Sequence, residues 1–189
     1  MDTPSSITIN GITLAAPRAA RQNELFTADA LNFLATLHRE FGPRVAELEA
    51  AGEASDQAEG ESEAFAESWQ KLLDKHLKEP PCTFITPRGL ARSESRILCG
   101  GAPLSAGLVD FGLHVHRNGL RLLGEGRAPF VSLLGLESEE ELQLWQDVFA
   151  RSEELLGLPD GTIRAIHFGD RDPDAGAVLA ERTPVAAGA

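Results

Sequence analysis

The chain has 189 residues, 42% of them apolar, and a formal charge of −12 with a pI near 4.8. That length fits one domain, or one with a small appendage, and the acidity argues against a nucleic-acid backbone as partner. No run of 18 apolar residues marks a membrane span, the N-terminus MDTPSSITIN lacks the pattern of a signal peptide, and two cysteines make no disulfide framework, so a reduced cytoplasm is the expected location.

Taken in order, "ITINGITL" alternates and reads as a short hairpin or arm. A helix is expected from Ala28 to Phe41, capped by Thr27, with Asp29 in its first turn and Ala30, Leu34, Leu37 and Phe41 on one face. Gly42-Pro43 is expected to break it before a second short helix over 44–51. Residues 1–51 thus form an N-terminal arm and helical clasp, and 52–67 an acidic, solvated linker that runs into the start of a third helix over 63–78. That helix carries Phe65, Trp69, Leu72, Leu73 and Leu77 as its stripe and stops at Pro80-Pro81.

From there the pattern alternates between strand and helix. "CTFITPRG" (82–89) is a short strand with a loop after it, and 90–104 reads as loop, with "ILCGGAP" a small excursion. A helix follows over 105–123, weakened by three internal glycines, then a strand over 129–136. Ser138 and Glu141 form a capping box for a helix whose apolar face is Leu142, Trp145, Val148, Phe149 and Leu156. A third strand begins at Thr162, and 170–189 shows no stable pattern and is expected to be disordered. Strands alternating with helices imply parallel pairing and right-handed crossovers. The fold class is therefore α/β: a partial (β/α) barrel-like segment over 68–169 behind an N-terminal helical region. Strands 82–86, 129–134 and 162–168 are expected to be parallel neighbours with both outer edges bare, which favours self-association. The three N-terminal helices are expected to fold back and cover part of the exposed face.

These passages resemble malate synthase of the short bacterial and plant type. Asp110-Phe111-Gly112-Leu113 with Asn118, Leu136-Glu137-Ser138, Leu144-Trp145 with Asp147-Val148-Phe149, and Gly161-Thr162-Ile163-Arg164-Ala165 match the family's order and spacing. The 25–48 segment is similar to its helical clasp, "SWQKLLDKH" to a segment after its second barrel strand, and "TPRGL" to its "RPRGW" strand end. The resemblance implies a condensation of acetyl-CoA with glyoxylate and water to malate and CoA, in the glyoxylate bypass. An aspartate base enolises the acetyl group, an arginine stabilises the enolate, and Mg²⁺ held by a Glu and an Asp polarises the aldehyde.

The departures are as specific as the matches. By the resemblance, Thr86 occupies the position of the enolate-stabilising arginine and Arg88 matches only the second arginine of that motif. Gly135 stands for a lysine, and Asp170 for the metal-binding glutamate. The first two barrel strands have no counterpart, the second metal ligand and the base fall beyond the last residue, and the text changes abruptly after Ala165, as a frameshift would produce. The chain therefore reads as a truncated and internally deleted relative, catalytically impaired and without a bound cofactor of its own. The alternatives are activity upon complementation by another chain, and a noncatalytic acidic interaction protein.

Other motifs weigh toward structure. His114 and His116 sit about 160° apart on a helix at i, i+2 and do not share a metal easily, and Cys82 and Cys99 lack zinc-site spacing. Asp170, Asp172, Asp174 and Glu181 have calcium-loop spacing, but Ala175 stands where that loop needs glycine and Pro173 disturbs it. Trp69 and Trp145 read as helix core.

Overall fold

The structure is a computed structural model that describes residues 7–16, 18–51, 62–133, 136, 138–167 and 178–179. The N-terminal hairpin forms as its alternation predicts: β1 (Ile7–Ile9) and β2 (Ile12–Leu14) pair antiparallel across Asn10-Gly11. Both turn residues have positive φ, 53° and 82°, the backbone that Asn-Gly supplies in tight hairpins. A one-turn helix α1 (Gln22–Leu25) precedes α2 (Ala28–Ala51), and the Oγ1 of Thr27 accepts the Ala30 amide as expected of a cap.

The break expected at Gly42-Pro43 does not occur. α2 runs unbroken through Pro43. Proline inside a helix costs about 3 kcal/mol. Here Phe41 before it and Val45 after it are both buried in one core, so tertiary packing keeps the helix continuous past the lost hydrogen bond.

α3 (Ser62–His76) ends close to its expected stop. β3 (Phe84–Ile85) is followed by a feature the sequence reading missed. Residues expected to be loop form β4 (Ser93–Cys99) and β5 (Ala102–Ser105), joined by Gly100-Gly101 with φ of 58° and 89°. β4 also pairs with β2, so the N-terminal hairpin and this second hairpin make one antiparallel sheet, β1-β2-β4-β5.

The β/α alternation completes the chain: α4 (Ala106–Gly124), β6 (Phe130–Leu133), α5 (Glu139–Leu156), β7 (Arg164–His167) and β8 (Val178–Leu179). Ser105 and Ser138 cap α4 and α5 with their hydroxyls, accepting from Leu108 and Glu141. Gly157 closes α5 in the left-handed conformation. β3, β6 and β7 are parallel neighbours, as the alternation predicts. The described residues form a partial α/β barrel-like segment, not a closed barrel. One edge differs from expectation. β8 lies antiparallel on β7, so β7 is not bare, and two residues of the tail expected to lack structure form a strand. β3 remains paired on one side only among the described residues.

The parallel sheet sorts its residues by register. Ile85, Val131 and Ala165 are cross-strand partners and all buried beneath α2, α4 and α5. Phe84, Phe130 and Arg164 are the adjacent set and point the other way. There Phe84 is 51% exposed and stacks on Phe130 with ring centroids 5.1 Å apart. The guanidinium of Arg164 lies 5.9 Å from the Phe130 ring. α2 packs across α4 and α5, where its Phe33, Leu37, Phe41 and Val45 join Phe111, Trp145 and Phe149 in one apolar core.

The glycines of α4, which weakened its prediction, are its contact points. A Cβ on Gly112 would stand 2.6 Å from Leu34, and one on Gly119 3.2 Å from Leu158. At Gly107 it would stand 2.6 Å from the carbonyl oxygen of Arg88. Close approach, not flexibility, accounts for them, and Gly107 sets the first turn of α4 directly against the loop after β3.

Candidate functional site

Catalytic groups of parallel α/β segments collect at the C-terminal ends of the strands. The end of β3 is such a place. Thr86 follows it directly and is exposed. Behind Thr86 lies a cluster of charged and imidazole side chains supplied by four segments: α3, the loop after β3, β4 and α4.

Arg88 and Asp110 form its centre. The carboxylate of Asp110, 1% exposed, accepts from the Arg88 backbone N–H (3.0 Å), Nε (3.0 Å) and Nη2 (2.9 Å). Arg88 Nη1 donates to Oε2 of Glu94 at 2.8 Å. Glu94 in turn accepts from Arg96 Nε (2.5 Å) and Nη2 (2.6 Å), while Arg96 Nη1 donates to Ser68 Oγ at 2.7 Å. Glu94 and Arg96 share a strand face at i, i+2, which places both charges inside, and Arg96 also lies 5.3 Å from the Trp69 ring. Burial works to raise the pKa of both carboxylates. The guanidiniums outweigh it: Arg88 holds Asp110, and Arg96 with Arg88 holds Glu94, below the ordinary carboxylate range.

Three more residues complete the cluster. Lys75 Nζ reaches the Thr86 carbonyl oxygen at 3.5 Å and stands 3.9 Å from Asp110 Oδ2. His76 and His114 are 3% and 5% exposed, and the Nε2 of each has no hydrogen-bond partner. Burial pushes the His76 pKa down to about 3, with Asp110 pulling against it, and that of His114 down to about 4, with Lys75 adding to the effect. Both imidazoles are neutral near pH 7. Asn118 Nδ2 lies 3.5 Å from His114 Nδ1.

Of the residues singled out in the sequence, Thr86, Arg88, Asp110 and His114 are brought to this site. Asp170, Gly135 and the residues 170–175 and 181 of the calcium-like spacing lie outside the described residues. His114 and His116 are separated: the first is in the polar cluster, the second packs on Phe33 with centroids 5.6 Å apart. Cys82 is exposed before β3, and Cys99 ends β4, partly buried. Trp69 and Trp145 are core, at 1% and 2% exposure. Among the described residues no group of three or more His, Cys, Asp or Glu side chains could hold a metal ion, and Asp170, the carboxylate the resemblance assigns to magnesium, lies outside them. Sequence reading missed Lys75, His76, Glu94 and Arg96. The alternating charges of "SESR" ahead of an apolar run were the available signal for a buried ion pair on a strand.

The comparisons with known proteins divide along the same segments. Residues 10–50 match the family described as malate synthase, N-terminal domain, and residues 82–170 that described as malate synthase, TIM barrel domain. The chain is 41% identical over 98 residues to the glyoxysomal malate synthase of Cucurbita maxima, a match covering 50% of this chain and 17% of that protein. It is 47% identical over 83 residues to the malate synthase of Streptomyces clavuligerus, covering 43% and 15%. Against the bifunctional glyoxylate cycle protein of Caenorhabditis elegans the identity is 44% over 80 residues, covering 42% and 8%. The matched stretch thus spans less than a fifth of each of these relatives.

Proposed function

This chain is malate synthase-like, and from that premise we propose that it does not by itself turn over acetyl-CoA and glyoxylate to malate and CoA. The observation that carries the reading is Thr86. It stands exposed at the end of β3, where the resemblance puts an arginine that neutralises the enolate. A hydroxyl carries no charge, and loss of one such stabiliser costs about 10²–10³-fold in rate. Arg88 is no substitute. Its Nε and Nη2 are engaged by Asp110 and its Nη1 by Glu94. An internal gap supports the same reading: residues 52–61 are all that separate α2 from α3, in the interval where the resemblance places two barrel strands. Magnesium would act, where bound, as the Lewis acid on the aldehyde. Asp170, the carboxylate that would help hold it by the resemblance, lies outside the described residues, among which no group of three or more His, Cys, Asp or Glu side chains could hold a metal ion.

The test is glyoxylate-dependent release of CoA from acetyl-CoA with Mg²⁺ present, scored against boiled protein. The reading holds if release stays at background, and fails if turnover approaches 1 s⁻¹, near ordinary enzyme rates. A second reading, activity upon complementation by another chain, draws on the singly paired β3 and the exposed Phe84 beside it. The proposed location is the cytoplasm. In its support, both cysteines are free, and no helix among the described residues is long and apolar enough to cross a membrane.

A further inference from the structure

β3 is paired on one side only among the described residues, and its hydrogen bonds show which backbone groups that leaves open. The Phe130 amide donates to the Thr83 carbonyl oxygen at 2.8 Å. In a parallel ladder this turns the backbone groups of Thr83 and Ile85 toward β6 and those of Phe84 toward the bare side. The N–H and C=O of Phe84 therefore point together at the edge, and among the described residues neither has a hydrogen-bond partner. The side chain repeats the asymmetry. Phe84 is 51% exposed, stacks on Phe130 on its inner side, and has open solvent on its outer side.

An edge residue whose N–H and C=O both face outward is self-complementary. Two copies related by a two-fold axis at that residue exchange both hydrogen bonds as one antiparallel pair. Cys82-Thr83-Phe84-Ile85-Thr86 contains no proline and no charge to prevent this, and Pro81 and Pro87 bound it. The aromatic row fits the same placement. With Phe84 beside Phe84 of the second copy, the row reads Phe130-Phe84-Phe84-Phe130 on one face. Arg164 stands beyond Phe130 at each end. At a strand spacing of about 4.8 Å the two guanidiniums are about 24 Å apart, well beyond the screening length of about 10 Å.

We infer that a second copy of this chain docks on β3, antiparallel and centred on Phe84, joining two four-stranded sheets into one across a two-fold axis. Lys75 Nζ, 3.5 Å from the Thr86 carbonyl oxygen, marks where the pairing stops. Two half-exposed rings and one short strand from each copy cover well under the about 1,000 Å² of a stable interface, so the dimer is weak and forms at high protein concentration. The charge of −12 on each copy opposes association, while the strand itself is uncharged, so added salt strengthens it. The inference is independent of turnover, and it gives the edge to an identical chain rather than to a different one.

The experiment is sedimentation equilibrium with NMR amide exchange on the full chain, between about 20 µM and about 1 mM. The wild type, Phe84→Ala and Leu120→Ala are compared, each shown to be folded by a thermal melt. Leu120, on α4, is 59% exposed and controls for association through any exposed apolar side chain. The wild type should pass from monomer toward dimer across this range, and more readily as salt rises. Exchange of the Phe84 amide should slow severalfold at the highest concentration, while that of the Ile85 amide, which faces β6, should not change. Phe84→Ala should weaken the dimer about tenfold, the scale of burying half a phenyl ring from each copy. Leu120→Ala should leave it unchanged. A wild type that stays monomeric at about 1 mM, a Phe84 amide whose exchange ignores concentration, or equal association in a folded Phe84→Ala would overturn the assignment. So would association that is lost in Leu120→Ala or weakened by salt.

Discussion

Asp110→Asn is the most informative single change to the cluster. The substitution is nearly isosteric, so it removes charge and leaves volume. In place of one carboxylate oxygen it puts an amide NH₂. Whichever way the amide turns, that donor faces a donor of Arg88, because both carboxylate oxygens now accept from it. At least one charge-assisted hydrogen bond is lost, each contributing about 1.5–3 kcal/mol. The Arg88 guanidinium keeps only Glu94 as an anionic partner. Breaking a fully buried pair costs about 3–5 kcal/mol. The Arg88 side chain is 29% exposed and recovers part of its hydration, which lowers the expectation to about 2–4 kcal/mol. Natural domains have about 5–15 kcal/mol in total, so the variant should show a clearly earlier urea midpoint at an unchanged slope. A loss below about 0.5 kcal/mol, the scale of an ordinary surface substitution, would refute the claim that this pair ties α4 to the loop after β3.

Gly107→Ala should destabilise by about 1–3 kcal/mol despite the better helix propensity of alanine, because its methyl meets the backbone oxygen of Arg88 at 2.6 Å; an unchanged melting temperature would count against that contact. Stability should fall steadily as pH drops from about 6.5 toward 3. His76 and His114 have folded pKa values near 3 and 4, below the unfolded value, so the unfolded chain takes up more protons across that window. Asp110 and Glu94 are also depressed, so their contribution is present above the unfolded carboxylate pKa and disappears as pH falls through the folded one. A flat urea midpoint between pH 7 and 4.5 would contradict the burial of neutral imidazoles. Phe84→Lys should shift self-association at the β3 edge toward monomer in light scattering, and a wild type that is monomeric at high concentration would remove the edge argument.

What the sequence disclosed follows from the range of each interaction. Asn10-Gly11, the Thr27 and Ser138 caps and the strand-helix alternation after residue 82 are local signals, and each appears where its pattern places it. Pro43 misled because the burial of Phe41 and Val45 outweighs a local rule. The 93–105 hairpin was legible in Gly100-Gly101 and in the alternation of "SESRIL", but the expectation of a barrel loop there hid it. Its pairing with β2 was not legible, since it joins residues more than eighty positions apart and no local pattern specifies that register. The candidate site divides the same way. Thr86 came from the resemblance of "TPRGL" to the family's strand-end motif. Lys75 and His76 of α3 meet Asp110 and His114 of α4 only through tertiary packing, which no local pattern in the sequence specifies.

The most direct test of the account is steady-state condensation by the purified full chain, supplied with acetyl-CoA, glyoxylate and Mg²⁺ and followed by both CoA release and malate formation. The expected result is neither product above the boiled control. Matched release of CoA and malate at about 1 s⁻¹ or faster, in the range of ordinary enzymes, would contradict it, since an exposed threonine at position 86 and an arginine committed to Asp110 and Glu94 would then have proved sufficient for the chemistry.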